Sequence, residues 1–178
     1  MACPVNFSGL DISYACGEVA SGGLKSIYLM NRADVDATVA DGEITIVTAP
    51  VAGEVLALQF NNKDGFSNFT DVKTVAADGT VTAVPTIQME FLRMKVENRN
   101  ALNALAIPGA ELVAFVETAA GTIHAVGYEF GLYASSVDGA SGAARSDKNR
   151  YQLTLVGDEN GLALAVPTTE FAKVVAAA

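Results

Sequence analysis

The chain has no tryptophan, one histidine (His124), two cysteines and five prolines among 178 residues. Each scarcity excludes a class of chemistry. With a single histidine, any Ser-His-Asp scheme must use His124, which alternates with Ile123 and Ala125 as a residue on a sheet face does. Two cysteines fall short of the four ligands that a structural zinc site takes. Cys3 and Cys16 are read as a disulfide or as two reduced thiols, the second being the expectation for a cytoplasmic product. Aromatic residues are only 7%, so a carbohydrate-binding surface would have little to stack a sugar on. Charged residues are also few, at 17%, against about a quarter in ordinary soluble domains. No run approaches the roughly 20 apolar residues of a membrane helix. The start carries no basic region before an apolar stretch, so no signal peptide is expected.

What is present is hydrophobic, at 51% with Ala and Val prominent, and acidic, with a net charge of -9. A chain so apolar has little polar surface to spare, and burying part of it against copies of itself is the simplest remedy. The acidic balance argues against gripping nucleic acid through phosphates, which needs Lys and Arg. It suits a wall along which DNA slides without sticking. Gly139-Ala140-Ser141-Gly142-Ala143 resembles a nucleophile loop but lacks its strand-turn-helix setting. No glycine loop carries the Lys-Ser/Thr pair of a phosphate cradle. Asp34, Asp36, Asp41 and Glu43 do not match the spacing of a calcium loop and read as a solvated acidic edge. No catalytic residue, cofactor or metal is expected.

Strand follows strand along the chain. The run 24–30 favours β structure, residues 31–41 form a polar connection, and Asp41-Gly42 opens a short alternating strand over 43–47. Asp78-Gly79, between two β-favouring runs, is the hairpin signal, because glycine tolerates the positive φ of a primed turn. Pro85 interrupts the second run and predicts an edge or a bulge there. Ile87, Met89 and Phe91 share one face, and the apolar phase flips at Leu92 and Met94, which predicts a bulge or burial on both faces. Residues 97–106 form the one helix expected, with Asn98 as cap and Pro108-Gly109 as its stop. A hairpin over 111–130 and a last strand over 150–156 follow.

The fold class expected is mainly β, a β-sandwich or half-open barrel with one flanking α-helix and sheets completed between subunits. One domain spans 1–178, with an extended N-terminal segment (about 1–22), a long loop (about 134–149) and a C-terminal tail (about 162–178). The candidate inter-subunit contacts are the basic residues Arg145, Lys148 and Arg150 and the acidic Asp34, Asp36, Asp41 and Glu43. Patches of opposite sign on one chain can meet head to tail.

Three stretches carry a family resemblance. They are Cys3 and Cys16 ahead of Gly22-Gly23-Leu24-Lys25-Ser26-Ile27-Tyr28-Leu29 and Asn31-Arg32-Ala33-Asp34, the strand and helix from Phe91 to Leu102 with the strand from Leu112 to Glu117 after them, and the close from Asp147 to Asn160, sharpest at Tyr151-Gln152-Leu153-Thr154-Leu155-Val156-Gly157. In this layout the chain resembles the tail tube and major tail proteins of bacteriophages, particularly virion proteins of phages from Bacteroidetes-like hosts. Residues 42–85 have no counterpart in it. The resemblance implies hexameric rings stacked into a hollow tube in the virion, with self and other phage tail proteins as partners, DNA only in transit, and no membrane. The other readings are a neck ring, tail terminator or capsid decoration protein, or a carbohydrate- or protein-binding β-sandwich module.

Overall fold

The computed structural model describes residues 22–48, 50–51, 54–60, 67–144 and 147–178. Arg145, most of the N-terminal segment and both cysteines lie outside them. The chain is mainly β, as expected. Eleven strands are described: β1 (Leu24–Asn31), β2 (Ala37–Ala40), β3 (Glu43–Val47), β4 (Leu56–Gln59), β5 (Asn68–Val75), β6 (Val81–Leu92), β7 (Leu112–Thr118), β8 (Ile123–Val126), β9 (Leu132–Ala140), β10 (Arg150–Gly157) and β11 (Leu164–Ala165). Two α-helices, α1 (Val96–Leu105) and α2 (Thr168–Ala177), interrupt and end them.

The strands make one open sheet, ordered β2-β3-β11-β8-β7-β9-β10-β6-β5, with β1 and β4 branching from β7. Its centre is the antiparallel β1–β7 ladder, in register from Ser26–Glu117 to Asn31–Leu112. Both strands are nearly continuous apolar runs, which is what burial on both faces demands. On one face Ile27, Leu29, Ala114 and Val116 join Ile87, Met89, Leu153 and Leu155 of β6 and β10. On the other, Tyr28, Met30, Val113 and Phe115 join Ile44 and Val47 of β3 and Phe171, Val174 and Ala177 of α2. A register shift between Leu24 and Ser26 returns Leu24 to the first face.

The β7–β9 pairing, at Leu112–Leu132, links the two parts of the sheet. Gly127 makes that junction, with φ 78°. A Cβ there would lie 2.5 Å from Leu132 Cγ and 2.9 Å from the Leu112 carbonyl oxygen, so no side chain fits. Arg32 holds the turn that follows, donating to the carbonyls of Tyr128 and Glu129 and pairing with Glu111 at 3.2 Å.

Several expectations are corrected. Residues 162–178 are not a loose tail, since α2 occupies their second half and closes the second core. The loop expected over 134–149 begins only at 141, because β9 pairs with β10 from Leu132–Gly157 to Ala140–Arg150. Deleting 134–149 would therefore remove a paired strand. The polar connection 31–41 contains β2. The phase flip at Leu92 and Met94 is neither a bulge nor two-sided burial. The strand ends at Leu92, Arg93 turns the chain at φ 70°, and both residues are exposed. Pro85 sits between β5 and the continuation of β10, not at an edge. The ladder skips it and resumes at Ala83–Glu159 in unchanged register, so the missing N–H costs pairing without a bulge. Lys95, not Asn98, is the cap of α1, and Asn98 instead donates to the Arg93 carbonyl.

The core predicts its own weak point. Phe115 is fully buried, whereas Phe91 only packs against the rim of the first cluster. Phe115→Ala is expected to lower stability by about 3–5 kcal/mol, with Phe91→Ala costing clearly less. Urea denaturation of the two variants checks the order.

Candidate assembly surfaces

The four acidic candidates share one hairpin but lie at its two ends, Asp34 and Asp36 before β2 and Asp41 and Glu43 at the turn into β3. Asp34 lies in the 3-10 turn before β2 and accepts a hydrogen bond from Asn31 Nδ2 at 3.0 Å. The Asp36 carboxylate accepts the Thr48 hydroxyl at 3.2 Å. Asp41 and Gly42 are both at positive φ, 52° and 81°, the geometry of a type I′ turn closing the β2–β3 hairpin. Glu43 opens β3 and is exposed. All four decorate the hairpin at one end of the sheet path.

The basic candidates are placed differently. Lys148 Nζ and Arg150 Nη1 lie 3.7 Å and 3.4 Å from the same oxygen, Oε1 of Glu90, whose side chain is only 6% exposed. These cations therefore neutralise a buried carboxylate of their own chain and fasten the end of the loop over 141–149 to β6. Glu90 stands between Met89 and Phe91 in sequence, which places it on the opposite face of its strand but does not show that β10 lies beside it. Only the register, with Gln152 opposite Glu90, brings the three together.

Other surfaces follow from the pairing. In β6 and β10 the side chains opposite the core belong to cross-strand rows, Asn68–Gln88–Thr154–Ser136 and Thr70–Thr86 among them. This face mixes those polar rows with Val72, Val84, Val156 and Tyr133 and is nearly uncharged, with Glu90, Asp138 and Arg150 as its charged members. Beyond it, β5 ends the sheet path and has no strand on its outer side among the described residues. Ala76 donates to the Thr80 carbonyl at 2.8 Å, so alternate residues of β5 point their backbone groups at β6 and those of Asp71, Lys73 and Val75 point outward. Val72 and Val75 are 57% and 68% exposed.

A second carboxylate group lies where β8 and β10 end. Both carboxylate oxygens of Glu159 lie 3.2 Å from the Glu129 N–H, and Glu129 Oε2 accepts from Asn160 N and Nδ2 at 3.0 and 2.9 Å. Asp71 accepts the Ala163 N–H through Oδ2 at 2.6 Å, while its buried Oδ1 has no hydrogen-bond partner among the described residues. A cavity of about 50 Å³ lies here, lined by Pro85, Tyr128 and Leu162 among others. Burial holds the Glu159 carboxyl above its ordinary value, and the charges of Glu129 and Asp71 add to the effect. His124 is half-buried in β8 with its ring 6.1 Å from Phe69. Burial lowers its pKa, and Asp71 opposes the shift. Among the described residues no group of three His, Cys, Asp or Glu could hold a metal ion. No helix among them is long and apolar enough to cross a membrane.

Two predictions test these groups. Glu90→Gln leaves the partly exposed Lys148 and Arg150 beside a neutral amide and is expected to cost about 1 kcal/mol. In that background Arg150→Gln should cost less than it does alone, which a double-mutant cycle in urea measures. Glu159 has a folded pKa above its unfolded one, so its contribution to stability is present below about pH 4 and is lost as pH rises through the raised value. Glu159→Gln removes that loss: the variant should melt higher than the parent at pH 7, and the gap should close below about pH 4 in calorimetry. Comparison of the chain with protein-family models, curated proteins and solved structures finds no match.

Proposed function

We propose that this chain is a structural virion protein, a subunit of a bacteriophage tail tube that closes into rings, hexameric in the family it resembles, and stacks them into a channel for the genome. The observation that carries the reading is the open edge of β5. It is eight residues long, it bears exposed valines, and its outward backbone groups have no strand to pair with among the described residues. Such an edge is a template for another strand, and a soluble protein leaves one uncovered at the risk of uncontrolled pairing. Closure with copies of itself removes the edge altogether.

The topology supports that closure. The strands β9-β10-β6-β5 are successively antiparallel and even in number. In a ring of rotated copies, β5 of one subunit therefore runs antiparallel to β9 of the next, whose outer side pairs with β7 only at Leu132, and the pattern continues around the barrel without a parallel joint. In this arrangement the four strands form the inner layer of a two-layered sandwich, β1 and β7 the second layer, and α2 its outer flank. The face of these rows, low in charge, turns inward. Its Thr, Ser, Gln and Asn side chains offer DNA few cations to hold it, and the net charge of -9 discourages adhesion.

Lys73→Pro tests the edge. It removes an outward N–H and no bond to β6. The variant is expected to keep a cooperative unfolding transition within about 2 kcal/mol of the parent and to form no rings in negative-stain micrographs where the parent does. Rings of undiminished number from Lys73→Pro, or a parent that stays monomeric at high concentration, would count against the tube.

A further inference from the structure

The ends of the β6–β10 ladder are unlike in charge and alike in exposed apolar surface. At one end Arg150 pairs with Leu92, and the Arg93 N–H donates to the Asn149 carbonyl at 2.8 Å. Lys95 and Arg99 lie one helical turn apart at the start of α1. Arg93, Lys95, Arg99, Lys148 and Arg150 thus gather within a few residues of one another. Arg93, Lys95 and Arg99 are exposed and form no ion pair among the described residues. Four carboxylates share this end. Glu90 is taken by Lys148 and Arg150, and Asp147 by the N–H groups of Ala143 and Ala144, which leaves Glu97 and Asp138 at the surface. Between the cations stand Leu92, Met94 and Val96, 51%, 40% and 61% exposed.

The other end lies about 30 Å away along the strands, where Ala83 bridges Glu159. There Glu129, Asp158 and Glu159 come together, with Asp71 close by. Arg32 and Lys73 are the nearby cations, the first paired with Glu111. Phe130 and Leu162 rise among these carboxylates, each 56% exposed.

We propose that these two ends bind each other, the basic end of one copy seating on the acidic end of the next. An apolar centre rimmed by charge is the composition of a protein–protein contact, and here the rims have opposite sign on one molecule, so the complementary partner is a second copy. The contact is heterologous: it repeats in one direction and builds a column instead of closing a dimer. It rests on the tube reading and deepens it. If strand edges close the ring, strand ends are left as its two rims, and stacking must bring a basic rim onto an acidic one. The column then has a single polarity, set by which rim is exposed first.

Two charge-reversed chains test it, compared with the parent by negative-stain microscopy and sedimentation. One carries Arg93→Glu, Lys95→Glu and Arg99→Glu, and is acidic at both ends. The other carries Glu129→Lys and Asp158→Lys, and is basic at both. Each alone is expected to give single rings and a loss of stacks, and an equimolar mixture to restore stacks in which the two alternate. Parent stacks should also shorten as salt rises, since exposed pairs are screened. Stacks from either variant alone, or a mixture that yields only single rings, overturns the proposal while leaving the tube reading in place. A parent that forms no rings at all overturns both, and leaves these ends to a different protein partner. Circular-dichroism melting of each variant separates lost stacking from lost folding.

Discussion

The β1–β7 ladder is the constraint on which the rest depends. Its side chains alternate between two cores, so each strand must satisfy one packing problem with its odd residues and another with its even ones. A slip of one residue would exchange the sets, turning Tyr28 and Phe115 into the space that Leu29 and Ala114 occupy. Phe115 is large and Ala114 small, and both are fully buried. The exchange would leave a void on one side and a clash on the other, and interiors tolerate neither. Register here is therefore set by volume as well as by pattern.

From that ladder the outer elements take their places. The β6–β10 part covers one face and α2 the other. Glu170 of α2 accepts the Val47 N–H at 2.7 Å while Lys173 donates to the Val47 carbonyl at 3.2 Å, so the helix ties down the end of β3 as a paired strand would. On the opposite side the sheet continues to β5 with no comparable cover among the described residues. The molecule thus treats two of its strand margins differently: one is tied by side chains of its own chain, the other is left with backbone groups facing outward.

How much of this was legible in the sequence depended on the range of the interaction. Asp78-Gly79 was readable as a hairpin turn because positive φ is a local demand that glycine meets, whereas Asp41-Gly42, read as the opening of a strand, turns out to head a hairpin as well. The strands of the central ladder were readable from their apolar runs. The helix α2 was missed because its Ala and Val content reads as a featureless tail. The signal was there in Pro167 and Glu170 at its start and in the spacing of Phe171, Val174 and Ala177. Leu92 and Met94 misled because an exposed apolar pair at a strand end has the same pattern as a phase change within one. The Glu90 cluster was out of reach, since it depends on which strand lies beside β6, and a distant pairing leaves no local trace.

The scarcity of charge explains why so much hangs on where the charges sit. Among the described cations, Lys25, Arg32, Lys148, Arg150 and Lys173 are tied into ion pairs that fasten one element to another. Fastening of this kind uses charge to specify position more than to add stability, because exposed pairs contribute about 1 kcal/mol or less. Of the remaining cations, three stand together beside Leu92, Met94 and Val96. A chain selected only for solubility would scatter its few cations to break up exposed apolar surface and would keep large side chains off its strand ends. Here the two coincide, at the end opposite the Glu129–Glu159 carboxylates. Apolar area supplies attraction without direction, and the opposed charges supply direction with little attraction. Together they are what a contact needs if it is to recur along an axis and exclude its own mirror arrangement, basic end on basic end.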